Sequence, residues 1–448
     1  MRRAYIETYG CQMNVADSAL MTHVLEDAGF KVTEDVNEAS LILLNTCAIR
    51  ERAEERVTAR LQQLGQLKRI RPDLVLGVTG CMPKHLGKEL LDRLPKVDLF
   101  IGPDSYRHLP SLVEEAALRP TFSLTLGDED YSDLDPVSIE GIHAFVPIMR
   151  GCDRFCTFCV VPLTRGREKS LPLADVVRQV RGAAEHGVRA VTLLGQTVNS
   201  YHHDEDRFRD LLSEVSEVEG ILRVRFTSPH PVEFEEDVFA LMAERPNLCA
   251  HIHLPVQSGS TRILESMKRG HSREEFLALV DRIRTHLPDV GLTTDIIVGY
   301  PGETDADFEA TLSLVREVQF DSAFMFRYSP RSGTYAYRKL RDEEVPDAVS
   351  AERLESLIAE QERISLQRYR RWEGRHVEVL VETVSRRNPL NSVGKSDDGK
   401  TVILPGTPEP GTMVSVPIAR ATSHTLIAEG VQEREAAPDP APVESIEV

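Results

Sequence analysis

The stretch Ala144-Phe145-Val146-Pro147-Ile148-Met149-Arg150-Gly151-Cys152-Asp153-Arg154-Phe155-Cys156-Thr157-Phe158-Cys159 decides how the rest of the chain is read. Its first part, Ala144–Met149, is a short apolar run of the kind that forms a buried strand. Its second part sets Cys152, Cys156 and Cys159 in a loop at the end of that strand. Three thiolates this close can bind one face of a 4Fe–4S cubane. Such a cluster ordinarily takes four cysteines, so three leave one iron open to bind a substrate or cofactor. Zinc is the alternative, but structural zinc sites favour ligand pairs two residues apart with a fourth Cys or His close by. Here the next histidine is His186.

Outward from that loop, strand patterns at Ala144–Met149, Ala190–Leu194, Leu222–Thr227, Ala250–Leu254, Gly291–Val298 and Ser322–Phe326 alternate with helical ones. The helical stretches are Leu173–His186, Arg207–Val218, Phe234–Ala243, Arg273–His286 and Asp305–Val318. Six β/α units in a row predict a partial (β/α)6 barrel, an architecture that puts its chemistry at the C-terminal ends of the strands. Upstream, Arg3–Tyr9, Ser40–Asn45 and Leu74–Val78 read as strands. Ala16–Ala28, Ile49–Arg69 and about 87–94 read as helices between and after them, which implies a parallel α/β domain. Downstream, a helical connector at Ala348–Trp372 leads to short alternating strands at His376–Val384, Thr401–Leu404, Met413–Ile418 and Ser423–Ala428. Asn388-Pro389, Asp398-Gly399, Pro405-Gly406 and Pro410-Gly411 punctuate them, the texture of a small β-barrel. The expected organisation is thus α/β: an N-terminal domain over 1–120, an acidic linker over 121–142, the barrel and its connector over 143–371, the small β-barrel over 372–432, and a Pro-, Ala- and Glu-rich disordered tail over 433–448.

With 41% hydrophobic and 28% charged residues the composition is that of a globular protein. No run of about 18 apolar residues exists to span a membrane, and Met1–Glu7 lacks the apolar core of a secretory signal. A cytoplasmic location is expected. Seven cysteines in 448 residues are too few for a disulfide scaffold. A net charge of −18 argues against a strongly basic nucleic-acid binder, without excluding a local basic patch.

Six of the seven cysteines form two sets. Cys11, Cys47 and Cys81 each follow a predicted strand of the N-terminal sheet. The C-terminal ends of parallel strands lie on one edge, where ligands bind, and neighbouring strands are about 4.8 Å apart. These three residues are therefore candidates for a second cluster, with three unrelated buried cysteines as the alternative. Cys249 reads as a structural core residue, and His251 and His253 as lining or packing residues rather than a metal site.

CxxxCxxC after the first strand of a β/α barrel, with the aromatic Phe158 before the last cysteine, resembles the radical SAM superfamily. Thr294–Glu303 is similar to that superfamily's fifth-strand motif, with Thr294 standing where glycine is usual. This implies contacts to S-adenosylmethionine (SAM) from Phe158, Gln196, Asn199, Gln257, Gly299, Pro301, Gly302 and Glu303. An ordinary strand-to-helix turn is the alternative for Gly299–Glu303, and helix capping for Gln196 and Asn199. The strings Gly10–Asn14, Asn45–Glu51, Gly80-Cys81 and Val160–Glu168 extend the resemblance to radical SAM methylthiotransferases of the MiaB branch, over about residues 3–430. That resemblance implies two 4Fe–4S clusters, held by Cys11, Cys47 and Cys81 and by Cys152, Cys156 and Cys159, the latter set catalytic. It implies two SAM molecules per turnover and methylthiolation of C2 of N6-isopentenyladenosine beside the anticodon of tRNA. It also implies an electron donor such as flavodoxin or ferredoxin, a sulfur or cluster donor, and a C-terminal RNA-binding TRAM barrel.

The TRAM-like segment is nearly neutral, so RNA contacts there would rest on Arg386, Arg387, Lys395 and Lys400. Arg165 and Arg167 are further phosphate-contact candidates near the barrel mouth. Solvated turn residues are the alternative for the first four, and surface salt bridges for Arg165 and Arg167. Two rival functions stand beside this reading. One is a methylthiotransferase acting on threonylcarbamoyl-adenosine in tRNA or on a ribosomal-protein aspartate. The other is a non-catalytic zinc- or RNA-binding protein.

Overall fold

Leu41-Ile42-Leu43-Leu44 and Val75-Leu76-Gly77-Val78 are buried on both faces, as strands of a parallel sheet covered by helices must be. The computed structural model describes residues 2–48, 51–127, 129, 131–134 and 137–431. In it these two strands form the centre of a six-stranded, all-parallel sheet. Its order is Lys31–Val32, Arg3–Thr8, Leu41–Thr46, Val75–Gly80, Leu99–Ile101, Thr121–Ser123. The register pairs Thr8 with Asn45 and Thr46 with Gly80. The three strand ends are therefore level, and Cys11, Cys47 and Cys81 leave from the same edge.

Several boundaries differ from the sequence pattern. The first helix begins at Gln12 rather than Ala16, with Cys11 at its N-cap. Polar Gln12 and Asn14 break the apolar periodicity there because they serve the site, not the core. The expected helix over 87–94 is the shorter Glu89–Arg93, and a separate helix, Cys81–Leu86, not expected from the pattern, precedes it across Gly87 with φ +59°. The expected helix from Ile49 is Glu51–Leu64 followed by a 3-10 turn to Arg69; Ile49 and Arg50 lie outside the described residues, as does the tail after Val431. Strands at Leu99–Ile101, Thr121–Ser123 and Asn391–Ser396 carry no clear alternation and were not predicted. The acidic linker is tied down by Tyr131, 1% exposed. Its hydroxyl donates to Pro103 O and accepts from the Tyr106 N–H.

The second domain is a partial barrel of six parallel strands in two sheets. His143–Pro147, Ala190–Leu194 and Arg223–Phe226 pair on one side; His251–His253, Gly291–Val298 and Ser322–Arg327 pair on the other. A Val224–Leu248 bridge continues the parallel pairing from the first side toward the second. Helices Arg273–His286 and Asp305–Val318 start where capping boxes stop the chain from extending upstream. Ser272 accepts from the Glu275 N–H and Glu275 from the Ser272 N–H. The apolar sides of both helices pack on the sheet in one continuous core with Ile252, Leu292 and Ile296.

The helix Asp347–Arg370 runs from the barrel to a closed five-stranded β-barrel, ordered His376–Val384, Asn391–Ser396, Thr401–Pro405, Thr425–Ala428, Met413–Ala421. The turn Asp397–Lys400 of this small barrel inserts against the N-terminal ends of the partial-barrel strands. Arg225 donates to Ser396 O and the Ala250 N–H to Asp397. A side chain on Gly291 would sit 2.1 Å from Asp398 O. Lys400 reaches Asp321 at 2.9 Å and also pairs with Asp398. The small barrel thus closes the bottom of the partial barrel and leaves the C-terminal strand ends free.

Candidate active site

At the edge of the N-terminal sheet, an interlocked pair of asparagines sets the thiols. Asn14 donates to Asn45 Oδ1 at 3.0 Å and to Thr46 O at 3.3 Å, and Asn45 donates back to Asn14 O at 2.7 Å. Gly80 turns at φ +93°, where a Cβ would stand 2.4 Å from Thr46 O; only glycine fits. Cys47 and Cys81 are buried and Cys11 is the most accessible of the three. The Cys11 thiol is pushed down to about 6 by its hydrogen bond with Cys47. Burial raises the Cys81 thiol.

The second loop is equally constrained. Gly151 has φ +76°, and a Cβ there would meet Arg167 O at 2.0 Å. The Arg154 N–H points at Cys152 Sγ (3.4 Å), the Val161 N–H at Cys159 Sγ (3.5 Å), and Arg269 Nη1 at Cys156 Sγ (3.4 Å). Thr197 Oγ1 lies 3.4 Å from Cys152 Sγ. Donors aimed at sulfur are what a bound iron–sulfur cluster uses to set its potential. Burial raises the Cys152 thiol and pushes Cys159 up to about 12, so these are protonated thiols that metal binding would deprotonate.

Both sets line one cavity of about 260 Å³. Among the described residues no three His, Cys, Asp or Glu side chains converge on a single point as a mononuclear ion requires. Thiolates around a cubane need not converge, since each binds a different iron. Three thiolates per set are a donor set that suits a cubane.

The cavity wall also carries buried polar atoms without a protein partner: Gln196 Oε1, Gln257 Oε1, His230 Nε2 and Arg269 Nε. Gln257 is held at φ +77°, costly for a non-glycine residue. Its backbone bridges Asp295 O and the Ile297 N–H. The Val232 N–H donates to His230 Nδ1, which leaves the proton of the neutral ring on Nε2, facing the cavity. Burial, aided by the charge of Arg269, keeps that imidazole neutral. An amino-acid-bearing ligand, with its ammonium and carboxylate, would satisfy acceptors and donors of this kind.

The predicted site residues divide. The six cysteines of the two sets, Phe158, Gln196 and Gln257 line the cavity. Asn199 does not: its amide accepts from the His230 N–H at 2.7 Å and donates to His230 O and Val232 O, and so positions the loop that carries His230. Gly299, Pro301, Gly302 and Glu303 are also off the cavity. Glu303 accepts from the Gly299 N–H and pairs with Arg353 at 2.7 Å, bracing the turn.

Arg165 is corrected from an exposed phosphate contact to a buried residue, 5% exposed, paired with Asp17 at 2.5 Å. Lys400 is likewise buried against two aspartates, and Lys395 is half-buried and bonded to Thr401. Lys400 faces protein because the turn that carries it is inserted into another domain, whereas Lys395 lies on the strand Asn391–Ser396 and bonds within its own barrel. Arg386 and Arg387 are exposed. Arg167 is exposed, pairs with Asp153 at 2.9 Å and lies over the Phe155 ring. Cys249 is buried and takes no part in the cavity. Sequence reasoning missed His230, Arg269 and Asp17. Only the first left a trace, as Ser228-Pro229-His230-Pro231 at a strand end.

Comparison with known proteins fits this geometry. Residues 146–315 match the radical SAM superfamily, 370–431 match the TRAM domain, and 3–102 match the uncharacterized protein family UPF0004. Among solved structures, the fold is similar to the radical S-adenosylmethionine methyltransferase TsrM from Kitasatospora setae. The TM-score is 0.54 at 15% identity, covering 75% of this chain and 77% of that one. The chain is a radical SAM enzyme, a class that uses an iron–sulfur cluster and SAM. It is 46% identical over 430 residues to the tRNA-2-methylthio-N(6)-dimethylallyladenosine synthase of Chlorobium phaeovibrioides, covering 95% of this chain and 96% of that protein. It is 44% identical over 446 residues to the synthase of the same name from Porphyromonas gingivalis, covering 96% and 95%. The chain belongs to the family of tRNA-2-methylthio-N(6)-dimethylallyladenosine synthases.

Proposed function

We propose that this enzyme adds a methylthio group to C2 of N6-isopentenyladenosine next to the anticodon in tRNA, using two 4Fe–4S clusters and two SAM molecules per turnover. The observation that carries the reading is the single cavity shared by both cysteine sets. Chemistry at an unactivated aromatic C–H needs a high-energy radical, and the sulfur needs a donor within reach of the same carbon. When bound, the cluster at Cys152, Cys156 and Cys159 would supply a 5′-deoxyadenosyl radical from SAM, and the cluster at Cys11, Cys47 and Cys81 the sulfur that accepts the methyl group.

The protein's own part is holding and exclusion. Gln196, Gln257, His230 and Arg269 offer two acceptors and two donors to the polar end of SAM. Phe158 walls the cavity and packs on the Tyr300 and Ile297 cluster behind it. Asn199 and Glu303 hold the loops on either side. Burial of five of the six cluster cysteines to less than half-exposure keeps water from the radical. The small barrel, by its TRAM match and exposed Arg386 and Arg387, would engage the RNA. An external electron donor of the flavodoxin or ferredoxin type and an external sulfur or cluster donor complete the cycle, and the cytoplasm is the compartment that holds all three. No helix among the described residues is long and apolar enough to cross a membrane.

The test is an anaerobic reaction with reductant, SAM and isopentenylated tRNA, followed by nucleoside mass spectrometry. Both 5′-deoxyadenosine and S-adenosylhomocysteine are expected. Cys152→Ala should abolish deoxyadenosine; Cys47→Ala should block methylthiolation and leave some SAM cleavage. Full methylthiolation by Cys47→Ala would refute the sulfur-donor role. Zinc without acid-labile sulfide in the purified protein would refute the radical reading altogether.

A further inference from the structure

Arg165 ends the short helix Val161–Arg165, which starts two residues after Cys159. The helix packs on Cys81–Leu86 of the N-terminal domain. Its last side chain is 5% exposed and spans the domain boundary to Asp17, 4% exposed, on the helix capped by Cys11. Both terminal nitrogens of the guanidinium reach the carboxylate, at 2.5 Å and 3.4 Å. Arg165 lines the cavity that holds both cysteine sets. Asp17 is not among the residues that line this cavity and lies behind the guanidinium. The guanidinium end of this dipole therefore faces the thiolates.

Charge conservation makes that orientation consequential. A cubane bound by three thiolates is anionic, and reduction adds one more negative charge in a buried site. A cation fixed beside it favours the reduced form, and an anion behind the cation opposes it. A surface arginine would be screened by solvent; Arg165 is not.

We propose that Arg165 is a positioning residue which raises the reduction potential of the cluster held by Cys11, Cys47 and Cys81, with Asp17 fixing its guanidinium in place and moderating its effect. The radical-forming domain thereby tunes the sulfur-donating one through the residue that docks them. The inference rests on the two-cluster reading.

The test uses the full chain with Cys152, Cys156 and Cys159 all changed to Ala, so that only the N-terminal cluster remains, and follows its reduction by electron paramagnetic resonance during a potentiometric titration. Arg165→Gln should shift the midpoint negative by the equivalent of about a tenfold change in the reduced-to-oxidised ratio, 59 mV for one electron. Asp17→Asn should shift it positive. Arg165→Lys, which keeps the charge and gives up the bidentate geometry, should restore most of the wild-type value. Opposite signs from the two partners distinguish tuning from mere support, because loss of a structural strut would move both variants the same way. Unchanged midpoints, or shifts of one sign, overturn the proposal. If the triple-alanine chain with native Arg165 binds no iron and sulfide, the two-cluster reading itself fails and this proposal with it.

Discussion

Lys400→Met is a demanding test of how the small β-barrel is held. The Lys400 side chain is 2% exposed, lies 2.9 Å from Asp321, pairs with Asp398, and stacks near the Tyr369 and Trp372 rings. Methionine preserves most of the volume and removes the charge. Removing one member of a buried ion pair costs about 3–5 kcal/mol because the partner is left uncompensated. Asp321 keeps Arg368 at 2.9 Å and the Leu292 N–H at 3.1 Å, and Asp398 keeps the Ser396 hydroxyl at 2.5 Å. The lower end, about 3 kcal/mol, is therefore expected. At roughly 2–4 °C per kcal/mol, the unfolding midpoint should fall by about 6–12 °C.

The pH dependence has a definite sign. Burial alone would raise the Asp321 carboxyl, but Lys400 and Arg368 outweigh it and hold the group below the usual range. Such a group contributes stability above its unfolded value, near pH 4, and loses it as pH falls through the folded value. The gap between wild type and Lys400→Met should thus be full at neutral pH and narrow only in stronger acid. Thermal melts by circular dichroism, under anaerobic conditions at several pH values, measure it. A midpoint within about 2 °C of wild type at pH 7 would refute the reasoning, since surface charges cost about that little. The exposed pair Arg386→Ala and Arg387→Ala supplies the control, with no midpoint change expected.

Three further outcomes follow from the geometry. Asn199→Ala removes three hydrogen bonds that hold the His230 loop; turnover should fall about 10–100-fold, as misplacement of a site group by an ångström costs, with little change in iron content by chemical analysis. Gln257→Leu deletes an unpartnered acceptor facing the cavity and should raise the KM for SAM while leaving the melting midpoint near that of wild type; an unchanged KM argues against contact. Gly259→Ala would place a Cβ 2.5 Å from Ala310 O and Thr311 Cα, both backbone atoms, and should destabilise the chain by about 1–3 kcal/mol in urea titrations.

The first domain shows why so much of the fold is legible in the sequence. Strands such as Leu41–Thr46 are buried on both faces, so their apolar runs are continuous and the residues that end them stand out. The cysteine that follows each strand end is then placed by register alone. The CxxxCxxC loop is local in the chain, and its ligand set needs no long-range contact to be recognised. The strand Asn391–Ser396 was missed because polar and small residues fill it; Asn391, Ser392 and Ser396 are buried by bonds within the turn and barrel, not by hydrophobicity.

Spacing and strand ends by themselves determined the two cysteine sets, the barrel that carries one of them, and the order of domains. Tertiary structure alone decided that both sets open into one cavity, that Asn199 braces rather than lines it, and that Arg165 and Lys400 face carboxylates instead of solvent. The reason is physical: an arginine or lysine reads the same in sequence whether its counter-charge is water, a neighbour or, as for Arg165, an aspartate 148 residues away. Only the fold brings that partner to it.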